Sequence, residues 1–271
     1  MSSAVKRLRE QIHRAVQYED AGAMLTDAVL ADVSDVLDQI VRAAEAGPGA
    51  LAASVINDVA LVHRIRAMGL GHPVEELHAC GALQVLGYVI DPRTATPQTR
   101  QEILSRGPAT DLGTALLRAM QGHASAVRAA WRRTPSRGLA ETFVHAFRRL
   151  IDLAGPDVPN YPTRLLDLAA ALDARYEFDE SHGALKDLNT AIDLTRQAIS
   201  VAPDDRDIVR RAHLLLGPML VTRDEVDPGS ADLAAALDSY RTIVELTDTD
   251  DPQYEARLRN LRRAQQLVDN P

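Results

Sequence analysis

The stretch LTRQAISVAPDDRDIVRRAHLL, residues 194–215, ends one helical pattern and begins another almost at once. Its first half places apolar residues at helical spacing and stops at Ala202-Pro203. Proline cannot donate the hydrogen bond that would continue a helix, and it disfavours the α conformation at the preceding residue. Asp204 or Asp205 can then cap a second helix by accepting from its free N–H groups. So abrupt a joint between two helices is typical of a helical repeat.

An internal comparison supports the repeat. The segment KDLNTAIDLTRQAISVAPDD (186–205) aligns with ADLAAALDSYRTIVELTDTD (231–250), which lies 45 residues later, and the helices before these two segments align with a shift of 44. A third copy begins at Tyr254 without a second helix. Each helix pair has an apolar face that it cannot bury alone, so we expect it to stack on the next pair.

The composition predicts an all-α protein. Apolar residues make up 46% of the 271 residues but aromatic residues only 4%, so the core consists mainly of small aliphatic side chains. Such a core suits close helix packing better than a sheet, which favours β-branched and aromatic residues. The second and longest apolar stripe, at helical spacing, predicts a buried helix face; it consists of Val29, Val33, Val36, Leu37, Ile40 and Val41.

Charge and cysteine content narrow the class of protein. The net charge of −8 argues against a general nucleic-acid binder. No apolar run approaches the ~18 residues of a membrane span, and the charged N-terminus MSSAVKRLREQIHRAV lacks the apolar core of a secretory signal. Cys80 is the only cysteine, which excludes an intramolecular disulfide and favours a cytoplasmic location. The abundance of alanine, with arginine far outnumbering lysine, indicates a GC-rich bacterial source, such as an actinobacterium.

The segment AGPDVPNYP (154–162) predicts a boundary between two regions. Residues 1–155 are expected to form an irregular α-helical region, either degenerate repeats or a distinct domain. Residues 156–271 are expected to form regular helical repeats that end in a capping helix.

Three short motifs occur in repeat order: LLDLAAALDARYE (165–177), KDLNTAI (186–192) and AISVAPDD (198–205). Together they resemble the tetratricopeptide repeat (TPR) family, and most closely the lengthened repeats of actinobacterial CHAT-associated proteins. The resemblance covers about 161–268. It implies a TPR-like helical-repeat solenoid, a right-handed superhelix whose concave groove, lined by first helices, binds a protein or peptide without chemistry of its own.

By position, the resemblance implies a set of groove-facing residues, namely Asp173, Arg210, Arg259, Arg262 and Arg263. Leu166 and Ala170 stand where carboxylate-clamp TPRs carry lysine and asparagine, so recognition of a C-terminal carboxylate by that clamp is not expected.

A second basic region spans residues 118–149, where seven arginines face a single acid, Glu141. One interpretation is a contact for an acidic protein, a nucleotide or a nucleic acid, because arginine forks grip carboxylates and phosphates. The other is a solvated helix face paired with acids elsewhere in the fold. The partner-binding residues of the first interpretation are Arg128, Arg132 and Arg133.

The segment HPVEELHAC (72–80) holds the residues most suggestive of chemistry. Glu75 and His78 share a helix face, and His63 could join them in a metal-binding or pH-sensitive cluster. A di-iron site needs a second Glu-x-x-His unit, which the sequence lacks. Phosphate-loop, nucleophile-elbow and zinc-protease motifs are also absent. We therefore expect no catalytic residues, no metal and no cofactor.

The sequence as a whole favours a noncatalytic scaffold or adaptor that binds an acidic protein or peptide through a TPR-like groove or an arginine-rich face. Two alternatives remain open: a small-molecule or metal-binding sensor or enzyme around His63, Glu75 and His78, and a nucleic-acid binder through 118–149. The last helix could also join two copies of the chain.

Overall fold

The computed structural model describes residues 2–47, 52–105, 111–158, 160–178, 182–228 and 231–269. These ranges are helical and contain no strand, so the predicted all-α fold class is confirmed. Short 3₁₀ turns lie at Ala21–Met24 and Pro92–Thr94. The α-helices found there are α1 Ser3–Gln17, α2 Asp27–Ala46, α3 Ala53–Gly69, α4 Val74–Ile90, α5 Pro97–Ser105, α6 Leu112–Arg133, α7 Arg137–Ala154, α8 Tyr161–Tyr176, α9 His182–Val201, α10 Arg206–Val226, α11 Asp232–Glu245 and α12 Tyr254–Asp269.

The chain divides into two compact units, Met1–Leu153 and Ala154–Pro271. In the first unit α1 packs on α2 and α3, α3 packs on α4, and α4 packs on α6. The apolar stripe predicted on α2 is buried, as its helical spacing requires. None of the helices that the structure describes is long and apolar enough to cross a membrane.

Helices α4 and α6 approach each other closely. A Cβ atom built on Gly122 would lie 2.8 Å from the Cα atom of Ala79. Ala79 and Ala119 are fully buried. Small residues at a helix crossing shorten the distance between the axes, which explains why the first unit can build a dense core from so few aromatic side chains.

The second unit is a stack of helix pairs. Helix α8 packs on α9, α10 packs on α11, and α10 also contacts α8 and α9, while α12 packs on α11. The predicted joint is confirmed: α9 ends at Val201, α10 begins at Arg206, and the Asp205 carboxylate accepts hydrogen bonds from the backbone N–H groups of Asp207 and Ile208.

Each helix pair of the second unit is held by an arginine–aspartate ion pair. Arg175 donates two hydrogen bonds to Asp187, at 2.7 and 2.8 Å. Arg223 donates two to Asp232, both at 2.6 Å, and a third to Asn189. The two aspartates are 45 residues apart and begin the repeated segment Asp-Leu, so the ion pair recurs with the repeat.

Candidate functional site

Three arginines on α12 are exposed and lie on one side of the helix, because they are spaced three and four residues apart. We call Arg259, Arg262 and Arg263 the α12 arginine face. No carboxylate among the described residues lies within ion-pair distance of them. Most other arginines of the second unit do contact a carboxylate; these are Arg175, Arg206, Arg210, Arg211, Arg223, Arg241 and Arg257.

The position of these arginines within α12 distinguishes them from ordinary helix-end cations. They lie in the middle of Tyr254–Asp269, whereas a helix dipole favours positive charge only in its last turn. Arg132 and Arg133 do occupy the last turn of α6, where they complement its negative end. The helix dipole therefore accounts for the pair on α6 but not for the α12 arginine face.

The other groove candidates differ from the α12 arginine face. Arg210 is half-buried and donates a hydrogen bond to Asp207 at 3.1 Å, which partly neutralises it. Asp173 is mostly buried on α8, and no ion pair or side-chain hydrogen bond joins it to another described residue. Burial, with a smaller contribution from the charge of Glu177, raises the pKa of Asp173 to about 6.

The basic region at 118–149 is partly engaged within its own unit. Arg149 donates to Asp38 at 3.0 Å, and Arg137 donates to Glu141 at 3.1 Å. The guanidinium of Arg128 lies 5.9 Å from the centre of the Phe147 ring, a cation–π distance. Arg132 and Arg133 remain exposed. The interpretation as a helix face that pairs with acids elsewhere thus applies to part of this region.

The structure does not bring His63, Glu75 and His78 together. His63 is fully buried, Glu75 is half-buried, and His78 is exposed. Within the described ranges, no group of three or more histidine, cysteine or acidic side chains is arranged to hold a metal ion. The partner of His63 is Glu76, the neighbour of the glutamate expected from the sequence.

A chain of buried polar side chains crosses the first unit, and the sequence did not predict it. The hydroxyl of Ser34 lies 2.7 Å from His123 Nε2, and His123 Nδ1 lies 3.3 Å from His63 Nε2. His63 Nδ1 lies 2.6 Å from Glu76 Oε2. Arg66 ends the chain by donating to Glu76 Oε1 at 2.8 Å and to the carbonyl of Met24 at 2.6 Å. We call these five side chains the buried polar chain.

Burial shifts the pKa values of Glu76 and His123 in opposite directions, whereas nearby positive charge lowers both. Burial alone raises the pKa of Glu76, but hydrogen bonds and charges from His63 and Arg66 outweigh it, so the pKa is lowered. Burial lowers the pKa of His123 well below its ordinary value, and the nearby charges of His63, Arg66 and His145 lower it further. Glu76 is therefore ionised and His123 neutral at neutral pH.

The sequence contains a periodicity that could have predicted two members of the buried polar chain. Glu76 precedes the buried residues Ala79, Cys80 and Leu83 by three, four and seven positions, which places it on the core face of α4. Arg66 follows Val59 and Val62 at the same spacing on α3. A charged residue on a core face needs a buried partner, so these two could have been paired by inspection.

Searches of protein-family models and of curated proteins find no match to this chain. Its own structure defines its class: an all-α protein of packed helix pairs, with a buried polar chain in one unit and an exposed arginine face in the other.

Proposed function

We propose that this protein is a noncatalytic scaffold or adaptor that binds an acidic segment of another protein through the α12 arginine face. The observation that carries the proposal is the exposure of Arg259, Arg262 and Arg263 in the middle of a helix, away from described carboxylates, in a unit that pairs most of its arginines.

The chemistry of arginine fits such a partner. A guanidinium presents N–H donors in a planar fork that matches a carboxylate with two parallel hydrogen bonds. Three such groups on one helix hold a fixed spacing, so a partner with carboxylates at helical or extended spacing can engage several of them at once. Because α12 is already folded, little conformational entropy is lost on binding.

The resemblance of 161–268 to TPR proteins supports the same class of function, because those repeats bind proteins and peptides. On this proposal the protein needs no metal or cofactor, works in the cytoplasm, and leaves catalysis to its partners. Arg210 would contribute to the surface that the repeats present, whereas Asp173 is mostly buried.

A binding assay with matched charge variants tests the proposal. Fluorescence anisotropy would follow a labelled oligoglutamate peptide added to the full chain and to the variant R259E/R262E/R263E. The control, R14E/R42E/R64E, makes the same change in net charge on exposed arginines of the first unit. We expect the α12 variant to lose about 3- to 150-fold in affinity, because it removes three exposed ion pairs of roughly 0.2–1 kcal/mol each. The control should lose far less. Equal losses in both variants, or no binding by the wild type, would contradict the proposal.

The same assay addresses nucleic-acid binding through 118–149. A labelled DNA duplex would replace the peptide, and the variant R132E/R133E would be compared with the α12 variant. Steeply salt-dependent DNA binding that R132E/R133E removes and the α12 variant retains would favour the nucleic-acid function over the scaffold.

A further inference from the structure

The buried polar chain joins four helices of the first unit. Ser34 belongs to α2, His63 and Arg66 to α3, Glu76 to α4, and His123 to α6. All five side chains are almost completely buried. Polar groups in such a core are costly unless every donor meets an acceptor, so their protonation states are constrained by one another.

The ionised Glu76 sets the direction of every hydrogen bond in the chain. A carboxylate only accepts, so His63 Nδ1 must carry a proton and donate it. In a neutral His63, Nε2 is then an acceptor, and it receives the Nδ1–H of His123. Neutral His123 in turn accepts the Ser34 hydroxyl proton at Nε2. One arrangement therefore satisfies all the groups.

The buried polar chain can bind one additional proton but not two. One added proton leaves every hydrogen bond in place on either ring. On His123 Nε2 it reverses the bond to the Ser34 oxygen; on His63 Nε2 it reverses the bond to His123 Nδ1, and His123 then donates from Nε2 to Ser34. A second proton would place hydrogens on both His63 Nε2 and His123 Nδ1, which lie 3.3 Å apart. Two N–H groups would then point at each other, and two positive rings would touch in a core that already holds Arg66.

The other charged groups near His123 do not relieve this conflict. His145 on α7 adds positive charge, and its neighbouring carboxylate, Asp38 on α2, is shared between His145 at 3.1 Å and Arg149 at 3.0 Å. On α4, Cys80 is buried and uncharged because burial raises the pKa of its thiol. Among the described residues, the carboxylate that is hydrogen-bonded to one of the two rings is Glu76, and the ring is that of His63.

We propose that the buried polar chain is a proton-controlled lock of the first unit, which holds α6 on α2, α3 and α4 with zero or one added proton and releases α6 when a second proton is taken up. Mild acidification would thereby expose the face of α6 that carries His123 and that is buried in the closed state. This inference is independent of partner binding by α12.

Proton linkage gives the size of the effect. Once α6 opens, the two rings no longer face each other and two protons can be bound at pH 5, because an unperturbed histidine has a pKa of about 6.5, whereas the closed state holds at most one. The opening constant should therefore rise at least about 30-fold between pH 7.5 and pH 5. Glu76 stays ionised in this window because its pKa is lowered, so the change belongs to the histidines.

Amide hydrogen exchange on the full chain would measure the opening of α6, residues 112–133, at several pH values after correction for intrinsic exchange. Wild type should lose protection in α6 about 30-fold by pH 5. H123Q keeps a donor and an acceptor but does not titrate, so its α6 protection should be nearly independent of pH. H78Q changes an exposed histidine of α4 and should behave as wild type. A wild-type pH dependence in H123Q would overturn the proposal.

A titration of the histidine rings by NMR on the wild type keeps the test decisive if H123Q does not fold. The two buried rings should not both titrate while the α6 amides stay protected. Independent titration of both rings near pH 6.5 with α6 protection unchanged would show that the chain accommodates two protons, and the proposal would fail.

Discussion

Glu75 and Glu76 are adjacent in the chain, yet α4 leaves Glu75 half-buried and places Glu76 in the core. Glu76 balances Arg66 in a buried ion pair, so E76Q leaves an uncompensated positive charge in the core. Removing one partner of a buried pair costs about 3–5 kcal/mol. We expect E76Q to lower the free energy of unfolding by that amount in urea titrations at pH 7, and E75Q to change it by less than about 0.5 kcal/mol. Similar small effects for both substitutions would contradict the geometry of the buried polar chain.

Asp173 should destabilise the folded second unit at neutral pH. Its pKa rises to about 6 in the folded chain, so the folded state binds a proton more tightly than the unfolded chain does. The penalty is complete above pH 6 and is relieved as the pH falls through 6 toward the ordinary value of 3.8. D173N should therefore raise the free energy of unfolding by about 2–3 kcal/mol at pH 7.5, and by about half as much at pH 5.

Chemical denaturation of wild type and D173N at these two pH values measures that difference, and any pH effect common to both proteins cancels. D204N, which changes an exposed aspartate at the α9–α10 joint, serves as the control and should be nearly neutral. A destabilising D173N would mean that the carboxylate has a favourable partner in solution.

At the level of helices, the close approach of α4 and α6 can be tested with two glycines. In Gly122 a Cβ would meet the Ala79 backbone at 2.8 Å, whereas in Gly81 it would meet nothing within 4 Å. G122A should therefore cost about 1–3 kcal/mol through overpacking. G81A should gain about 0.5–1 kcal/mol, because alanine has the higher helix propensity. Thermal unfolding of the two variants would show opposite shifts; a stabilised G122A would refute the close contact.

Helices and their joints could be predicted because their causes are local. Pro203 and Asp205 fix the α9–α10 joint within a few residues, and apolar spacing fixes the buried face of α2. Partners distant in sequence could not be predicted in the same way. His63 and His123 are 60 residues apart, and they become neighbours because α3 and α6 both pack on α4. Likewise, Asp187 was not expected to bind Arg175, although both belong to the repeated motifs.

At the scale of the whole molecule, the net charge of −8 opposes the partner that the α12 arginine face would bind. At about 10 mM salt the Debye length is roughly 30 Å, so an acidic peptide is repelled by the whole protein. At about 150 mM it is roughly 8 Å, and the peptide is affected mainly by the three nearby arginines. At about 1 M, with a length of roughly 3 Å, that attraction is also screened.

The affinity for oligoglutamate should therefore pass through a maximum near physiological salt rather than fall steadily. Anisotropy titrations at salt concentrations of about 10, 50, 150, 400 and 1,000 mM would cover these screening regimes and show how the affinity changes. The variant R259Q/R262Q/R263Q should lose the maximum, because it keeps the long-range repulsion and lacks the local attraction. If the wild-type affinity only decreases as salt is added, the binding site must lie on a larger basic surface than α12. A steady decrease requires a positive electrostatic field that outweighs the negative net charge at every distance from the site.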